Sequence, residues 1–537
     1  MRRGGGHATP AFNATEKGKI VSEATMTEEE PELKGSEPKK RKLHFPTAIT
    51  VLFIVMLFAA ALTYIVPAGE YSKLLYDEDA GVLTITNPDG SVETKEATQA
   101  TLDELGVSGK IESYLDGSIS KPVAVPGTYQ RVAQNPQGPL EFLLSPIRGV
   151  YDTIDIILFV FILGGCIGVL NYMGALAAGV AALSRLTNGK EYLLIITLSL
   201  LMVAGGTTFG LCEETIALYP ILMPVFIAAG YDAMTSIAVI FVGSSVGTMY
   251  STVNPFAIGV ATKAAGIAMS EQMGWRFLAL GIGTAMALAY VLRYAHKVRL
   301  DPSQSVCYDF KDKIEEKWGS QGEAPTFDTH MKLSLAAFGL AFVVLVYGIV
   351  RYLWWFDTMT AVFLACAIVL AFVSGLEEEV FMDQFIGGAG DLMSVALVIG
   401  VARAVNMLLE DGLISDTILH FFSNLVSGMS PVIFIVMMLL VYIVLGFFIN
   451  SSSGLAVLSI PIMAPLGDAV GVSKPAIIAA YNYGQGLISY ITPTGLILAS
   501  LAMVDVPFSR WLKFINPLLG ATIVLNALLL IAQALIG

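Results

Sequence analysis

A chain of 537 residues that is 55% hydrophobic and only 14% charged falls well short of the roughly one quarter charged residues of a soluble domain. Its charges cluster, leaving apolar runs long enough to cross a bilayer, which excludes an ordinary soluble protein. The net charge of −13 arises in a few polar segments and gives no basic patch for a nucleic-acid partner.

In chain order, residues 1–43 are rich in Gly, Glu and Lys and lack an apolar h-region, so they read as a disordered cytoplasmic tail and not a cleaved signal. A first span over 44–67 ends at Pro67. The polar, acidic segment 68–140 reads as an extracytoplasmic insertion, partly β, with Leu83, Ile85 and Val92 around an Asn87-Pro88-Asp89-Gly90 turn. A first repeat covers 141–298, with a span at 152–172, a hairpin at 191–229, a broken helix at 232–268 and a span at 275–297. A cytoplasmic linker, 299–330, leads to scaffold spans within 331–388. The second repeat, 389–537, has a span at 389–411, a hairpin at 431–470, a broken helix at 474–503 and a last span at 516–537. The fold expected is an all-α polytopic membrane protein of about nine transmembrane helices plus two re-entrant hairpins. Each hairpin reads as two short legs around a polar tip, which a membrane tolerates only where protein or water covers the backbone.

Lys39, Lys40, Arg41 and Lys42 directly precede the first span, placing the N-terminus in the cytoplasm. The nine-span count then puts 68–140 and the C-terminus outside. It puts Arg185, Lys190, the 297–330 loop, Arg510 and Lys513 inside. Localisation in the plasma (cytoplasmic) membrane follows. Cys166, Cys212 and Cys366 lie in apolar runs and Cys307 in a polar loop, with no CxxC pair, so neither a disulfide framework nor a thiolate zinc site is expected.

The two halves share a pattern. Pro220-Ile221-Leu222-Met223-Pro224 in the first hairpin corresponds to Pro461-Ile462-Met463-Ala464-Pro465 in the second. Ser251-Thr252-Val253-Asn254-Pro255 in the first broken helix corresponds to Ser489-Tyr490-Ile491-Thr492-Pro493-Thr494-Gly495 in the second. The offsets are 241 residues at the hairpin prolines and 238 at the later ones. An odd number of spans separates the hairpins, so they are expected to enter from opposite faces as an inverted-topology repeat. Paired broken helices of this kind point to a transporter's midplane site, where half-helix N–H ends favour anions and carbonyl ends coordinate Na⁺.

The run Gly206-Thr207-Thr208-Phe209-Gly210-Leu211-Cys212-Glu213-Glu214-Thr215, with Ser251 to Pro255 and Asn450-Ser451-Ser452-Ser453, resembles the DcuC-like (YfcC-type) carriers. These belong to the broad ion transporter superfamily of carboxylate transporters. The resemblance covers about 44–537 without the 68–140 insertion. It implies a scaffold domain that forms a homodimer and a mobile, elevator-like transport domain holding both hairpins. Carriers of the superfamily often have a Ser-Asn-Thr triplet at each tip. Asn450-Ser451-Ser452 approximates it, and Thr207-Thr208 departs further. Four-carbon dicarboxylate carriers and proposed basic amino-acid exchangers of arginine/ornithine type both occur in the family, and both classes stay open.

The candidate site is drawn from the breaks. Asn450, Ser451, Ser452 and Ser453 offer hydroxyl and amide groups suited to a carboxylate or dehydrated Na⁺; a simple helix cap needs only one such residue. Thr207 and Thr208 follow the same logic. Ser251, Thr252, Asn254, Thr492, Pro493 and Thr494 sit where proline removes a donor and frees a carbonyl. A Na⁺ is expected near Ser245, Asn254, Asn450 and Thr492. Glu213 and Glu214 are intramembrane acids and hence functional candidates, although acids also suit the positive end of a helix; adjacent positions point about 100° apart, so one at most faces the site. Arg403 lies inside its span, as a partner of those acids, a substrate ligand or half of a structural pair. Lys263 and Asp155, nearer span ends, read as snorkelling or interfacial. No GxxxxGK[ST] motif occurs, so a Na⁺ or H⁺ gradient or exchange is the expected energy source, without a cofactor. None of the five histidines (His7, His44, His296, His330, His420) lies in mid-span, which removes the base that a serine hydrolase needs. A non-enzymatic secondary transporter is expected, with a channel as a remote alternative.

Overall fold

The computed structural model describes residues 47–536 apart from 118, 177, 180–181, 183–189, 320–326 and 353. The tail 1–43, the basic run 39–42, His7, His44 and Arg185 lie outside the described residues. The chain is an all-α polytopic membrane protein with one small β element. Among the described residues, nine helices are long and apolar enough to cross a bilayer.

Helix α1 (Ala48–Ile65) is capped by Thr47, whose hydroxyl accepts from the Thr50 N–H, and Pro67 follows its end. The insertion then folds as strands β1 (Gly69–Glu70), β2 (Lys73–Asp77), β3 (Val82–Thr86), β4 (Val92–Glu96), β5 (Val123–Ala124) and β6 (Gln130–Arg131), with short helices α2 (Gln99–Glu104) and α3 (Glu112–Leu115). Four strands form an antiparallel sheet in the order β4-β3-β2-β5, while β1 pairs with β6. In the β3–β4 hairpin Thr86 faces Val92. Gly90 takes the left-handed conformation at φ 82°, and Asp89 accepts from the Ser91 N–H at 2.8 Å. Leu83 and Ile85 enter the insertion's core, whereas Val92 stays exposed.

The first half continues with α4 (Pro139–Asp152), α5 (Ile154–Tyr172) and α6 (Glu191–Phe209). A 3-10 turn (Glu213–Leu218) leads into α7 (Tyr219–Ala228), α8 (Ala233–Met249), a break, α9 (Val260–Ala264) and α10 (Met273–Leu300). The connecting segment holds α11 (Lys311–Trp318), α12 (Thr329–Tyr352) and α13 (Phe356–Val373). The second half holds α14 (Glu378–Asp391), α15 (Met393–Asp411), α16 (Ser415–Val426), α17 (Pro431–Phe448), α18 (Ser452–Ala469), α19 (Lys474–Ser489), a break, α20 (Leu496–Met503) and α21 (Phe508–Ile536). Equivalent elements make equivalent contacts. Helix α4 packs on α15 as α14 packs on α5, and α6 packs on α8 as α17 packs on α19. Helix α9 lies against α18, and α20 lies against the 213–218 turn and α7.

The segments expected as short-legged hairpins differ from that expectation in length. Helix α6 has 19 residues and α17 and α18 have 18 each, so three of the nine span-length helices come from them. The cause is local. Helix α6 stays apolar until Gly210 adopts φ 76° and ends it, and α18 continues through Pro461 and Pro465. Each first leg packs mainly on the broken helix that follows, not on its own second leg.

The α6–α8 contact depends on glycine. A Cβ on Gly206 would lie 2.4 Å from the Ser244 carbonyl, and one on Gly247 would lie 2.3 Å from that of Val203. Small residues let helix backbones approach in a membrane, where dispersion and not water exclusion drives packing. Gly247→Val is therefore expected to destabilise the fold by about 1–3 kcal/mol through overpacking. A lower melting temperature of the purified protein in detergent checks this. Gly281→Ala, where a Cβ meets nothing within 4 Å, serves as the unaffected control.

Candidate functional site

The first break is closed by the end of α6. Pro255 cannot donate, and the chain leaves the helix over 250–254, freeing carbonyls at the end of α8. The Thr207 hydroxyl lies 3.3 Å from the Tyr250 carbonyl and 3.1 Å from the Thr252 hydroxyl, and it accepts from the Thr252 N–H at 3.0 Å. The Thr207 carbonyl accepts from the Val253 N–H at 3.2 Å. Asn254 caps the following turn, its Oδ1 accepting from the N–H groups of Phe256 and Ala257 at 2.9 and 3.3 Å. Its Nδ2 donates to the Ser251 hydroxyl at 3.4 Å. Ser251, Thr252 and Asn254 are buried. Thr208 is exposed, and its hydroxyl donates back to the Ala204 carbonyl of its own helix at 2.6 Å.

The second break is closed in the equivalent way. Asn450 Nδ2 donates to the Thr494 carbonyl at 3.0 Å, and the Asn450 carbonyl accepts from Gln485 Nε2 at 3.1 Å. The Thr492 and Thr494 hydroxyls bond to each other at 2.8 Å, with Pro493 between them. Ser451 is the N-cap of α18, accepting from the Gly454 N–H at 3.2 Å. The Ser452 carbonyl accepts from Tyr481 at 2.8 Å. The Ser451 and Ser453 hydroxyls both accept from the ammonium of Lys121, which reaches over from the insertion.

The fold therefore gathers the sequence candidates into two clusters, one of Thr207, Ser251, Thr252 and Asn254, the other of Asn450, Thr492 and Thr494. Of the four residues read as a Na⁺ group, Asn254 belongs to the first cluster, and Asn450 and Thr492 to the second. Ser245 contributes its carbonyl to the Thr248 hydroxyl at 3.1 Å. Among the described residues, no group of three or more His, Cys, Asp or Glu side chains is placed to hold a metal ion.

The acids separate. Glu214 caps the 213–218 turn, its Oε2 accepting from the Cys212 N–H at 3.0 Å. Glu213 is exposed, with its carboxylate beside the Cys212 thiol. Asp155 accepts from the Trp355 indole at 2.9 Å. Arg403, left open between three partners by the sequence, pairs with Asp152 and with Glu410, the latter at 3.1 Å. It belongs to the α4–α15 contact, because α15 presents it to the neighbouring helix and to its own last turn.

Three residues that carry the breaks are absent from the sequence candidates. Asn482 on α19 donates to the Thr248 and Met249 carbonyls at 3.1 and 2.9 Å, joining the second broken helix to the first. Buried Arg276 donates to the carbonyls of Thr252 and Glu271 at 2.9 and 2.8 Å. The Trp511 indole donates to the Tyr490 carbonyl at 2.7 Å. Arg276 had one legible signal, a cation at the start of an apolar run. Asn482 and Trp511 had none, since their partners are remote or locally unremarkable. Tyr250, Ser251, Arg276, Asn482 and Tyr483 line a cavity of about 10 Å³, roughly the room that one water needs.

The chain resembles known proteins over most of its length. Residues 45–535 match the C4-dicarboxylate anaerobic carrier family, DcuC. An uncharacterized Haemophilus influenzae protein is 43% identical over 498 residues, covering 92% of this chain and 98% of its own. An Escherichia coli protein named "Putative basic amino acid antiporter YfcC" is 28% identical over 516 residues, covering 93% and 98%. Two solved structures also align. The YdaH transporter of Alcanivorax borkumensis does so over 91% of this chain and 98% of its own, at 15% identity and a TM-score of 0.38. MtrF of Neisseria gonorrhoeae, described with a class of antimetabolite efflux pumps, does so over 92% and 96%, at 14% and 0.37.

Asn482→Leu is expected to leave the Thr248 and Met249 carbonyls short of donors and to cost about 1–3 kcal/mol. The thermal midpoint of the purified protein should fall accordingly, while Thr208→Val, which loses only a bond within its own helix, should leave it nearly unchanged.

Proposed function

The chain belongs to the DcuC family of C4-dicarboxylate anaerobic carriers, and from that premise we propose that it is a secondary active transporter for a small carboxylate-bearing solute. It works by ion-coupled or exchange alternating access, elevator-like, as a homodimer and without a catalytic step. The carrying observation is the pairing of two polar breaks, each closed by a polar residue from the preceding helix end, Thr207 on the first and Asn450 on the second. Paired breaks of this kind are where transporters place substrate and coupling ions. Asn450, Ser451, Ser452 and Ser453, with Thr492 and Thr494, take the carboxylate or Na⁺. Thr207, Thr252 and Asn254 serve the first half. The N-terminus is cytoplasmic, the insertion and C-terminus lie outside, and the two halves are inverted about the membrane plane.

The family description favours a four-carbon dicarboxylate. The YfcC relative's name and the exposed carboxylate of Glu213 favour a basic amino acid of arginine/ornithine type, whose amine an acid would hold. Both substrates share the carboxylate.

Uptake and counterflow of succinate, aspartate, arginine and ornithine in proteoliposomes, with and without Na⁺ and pH gradients, test the reading. Saturable counterflow of one class is expected; flux without saturation or counterflow would mean a channel. Glu213→Gln should cripple transport and weaken its dependence on Na⁺, pH or the amine. Glu214→Gln, whose amide oxygen still accepts from Cys212, should retain both. Wild-type rates and ion dependence in the two single mutants and the double mutant would remove the acids from the mechanism.

Topology is tested separately. A cysteine at Ser91 should label from outside the cell, and one at Ser303 only after the membrane is opened. Labelling of both from one side would end the inverted assignment.

A further inference from the structure

The second hairpin carries a cation that its own repeat does not encode. The insertion packs strand β5 on α18, and Val457 of α18 is buried in the insertion's core with Leu74, Leu83 and Val123. That packing fixes the chain at Val123, and Lys121, two residues earlier, reaches the first turn of α18. Its ammonium lies 2.9 Å from the Ser453 hydroxyl and 3.4 Å from that of Ser451.

The hydrogen bonding of this cluster is one-sided. Ser451 accepts from the Gly454 N–H and from Lys121, and Ser453 accepts from Lys121. Among the described residues neither hydroxyl proton has an acceptor, and the ammonium keeps a third donor. Arg403 and Glu410 act on Lys121 with opposite signs, and Arg403 is already paired with Glu410 at 3.1 Å and with Asp152. The positive end of the 18-residue helix α18 has the same sign as the ammonium. What remains is a set of donors, and a carboxylate, which only accepts, complements it.

We propose that Lys121 is a substrate-binding residue supplied by the insertion, forming with Ser451 and Ser453 a recognition site for a carboxylate of the transported solute. The assignment rests on the carrier reading above and adds a specificity residue from outside both repeats. The insertion thereby becomes part of the binding site and not an appendage to it.

The test is uptake by the full chain in proteoliposomes, with succinate and arginine as probes, for wild type, Lys121→Gln and Lys121→Arg. Lys121→Gln is expected to raise KM for the transported probe about tenfold, the worth of one charge-assisted hydrogen bond, with the maximal rate changed by no more than about twofold. Lys121→Arg should restore KM. An unchanged KM in Lys121→Gln overturns the proposal. So does a maximal rate that falls alone, because a lysine that only latches the insertion acts on movement and not on affinity. If wild type moves neither probe, the carrier reading fails on its own. The carboxylate site is then decided by the thermal shift of the purified chain in succinate against chloride of equal ionic strength. A succinate shift in wild type that is lost in Lys121→Gln upholds it; no shift, an equal shift in both proteins, or one that chloride reproduces overturns it.

Discussion

Inside a bilayer a backbone N–H or C=O without a partner costs several kcal/mol, so a helix can be broken at depth only where other groups take over its hydrogen bonds. Both breaks in this chain meet that condition with side chains. Asn482 takes the Thr248 and Met249 carbonyls, Arg276 takes that of Thr252, and Trp511 takes that of Tyr490. Because Asn482 comes from the second broken helix and its acceptors from the first, the two breaks hold each other. The polar residues at the breaks are ordered by the same bonds, which is a condition for any binding site built from them.

The two halves share their order of elements and their packing partners, yet their polar ends differ in charge. The first carries two adjacent acids, one of which, Glu214, is occupied with its own turn. The second carries only hydroxyls and an amide of its own and receives its charge from Lys121. Two halves of like element order thus present two chemically distinct ends, and the difference on the second arises from the 68–140 segment.

That segment is tied into the molecule on two sides. Its core accepts Val457 of α18. Its other edge bonds to α16, through the Tyr71 N–H on the buried Asp416 carboxylate at 3.1 Å and the Tyr129 hydroxyl against Thr417 at 2.9 Å. The Tyr129 and His420 rings stack with centroids 4.0 Å apart. Burial holds the Tyr71 phenol up at about 12, so it is neutral at physiological pH and bonds as a hydroxyl to His420 at 3.2 Å.

The sequence by itself determined the membrane class, the order of elements, the positions of both breaks and the identity of most polar residues at them. These are local properties: runs of apolar residues, Pro and Gly that interrupt them, and Ser, Thr and Asn beside the interruptions. Only the tertiary structure decided which side chains meet. Arg403 was legible as a charge inside a span, but its pairing with Asp152 and Glu410 depends on α4 lying against α15. Glu213 and Glu214 were indistinguishable until the turn they open used one and left the other outward. Asn482 and Lys121 reach partners 234 and 332 residues away. A contact across such a distance is selected by helix packing and by the hydrogen bonds that a broken backbone demands, and neither leaves a periodic trace in the chain.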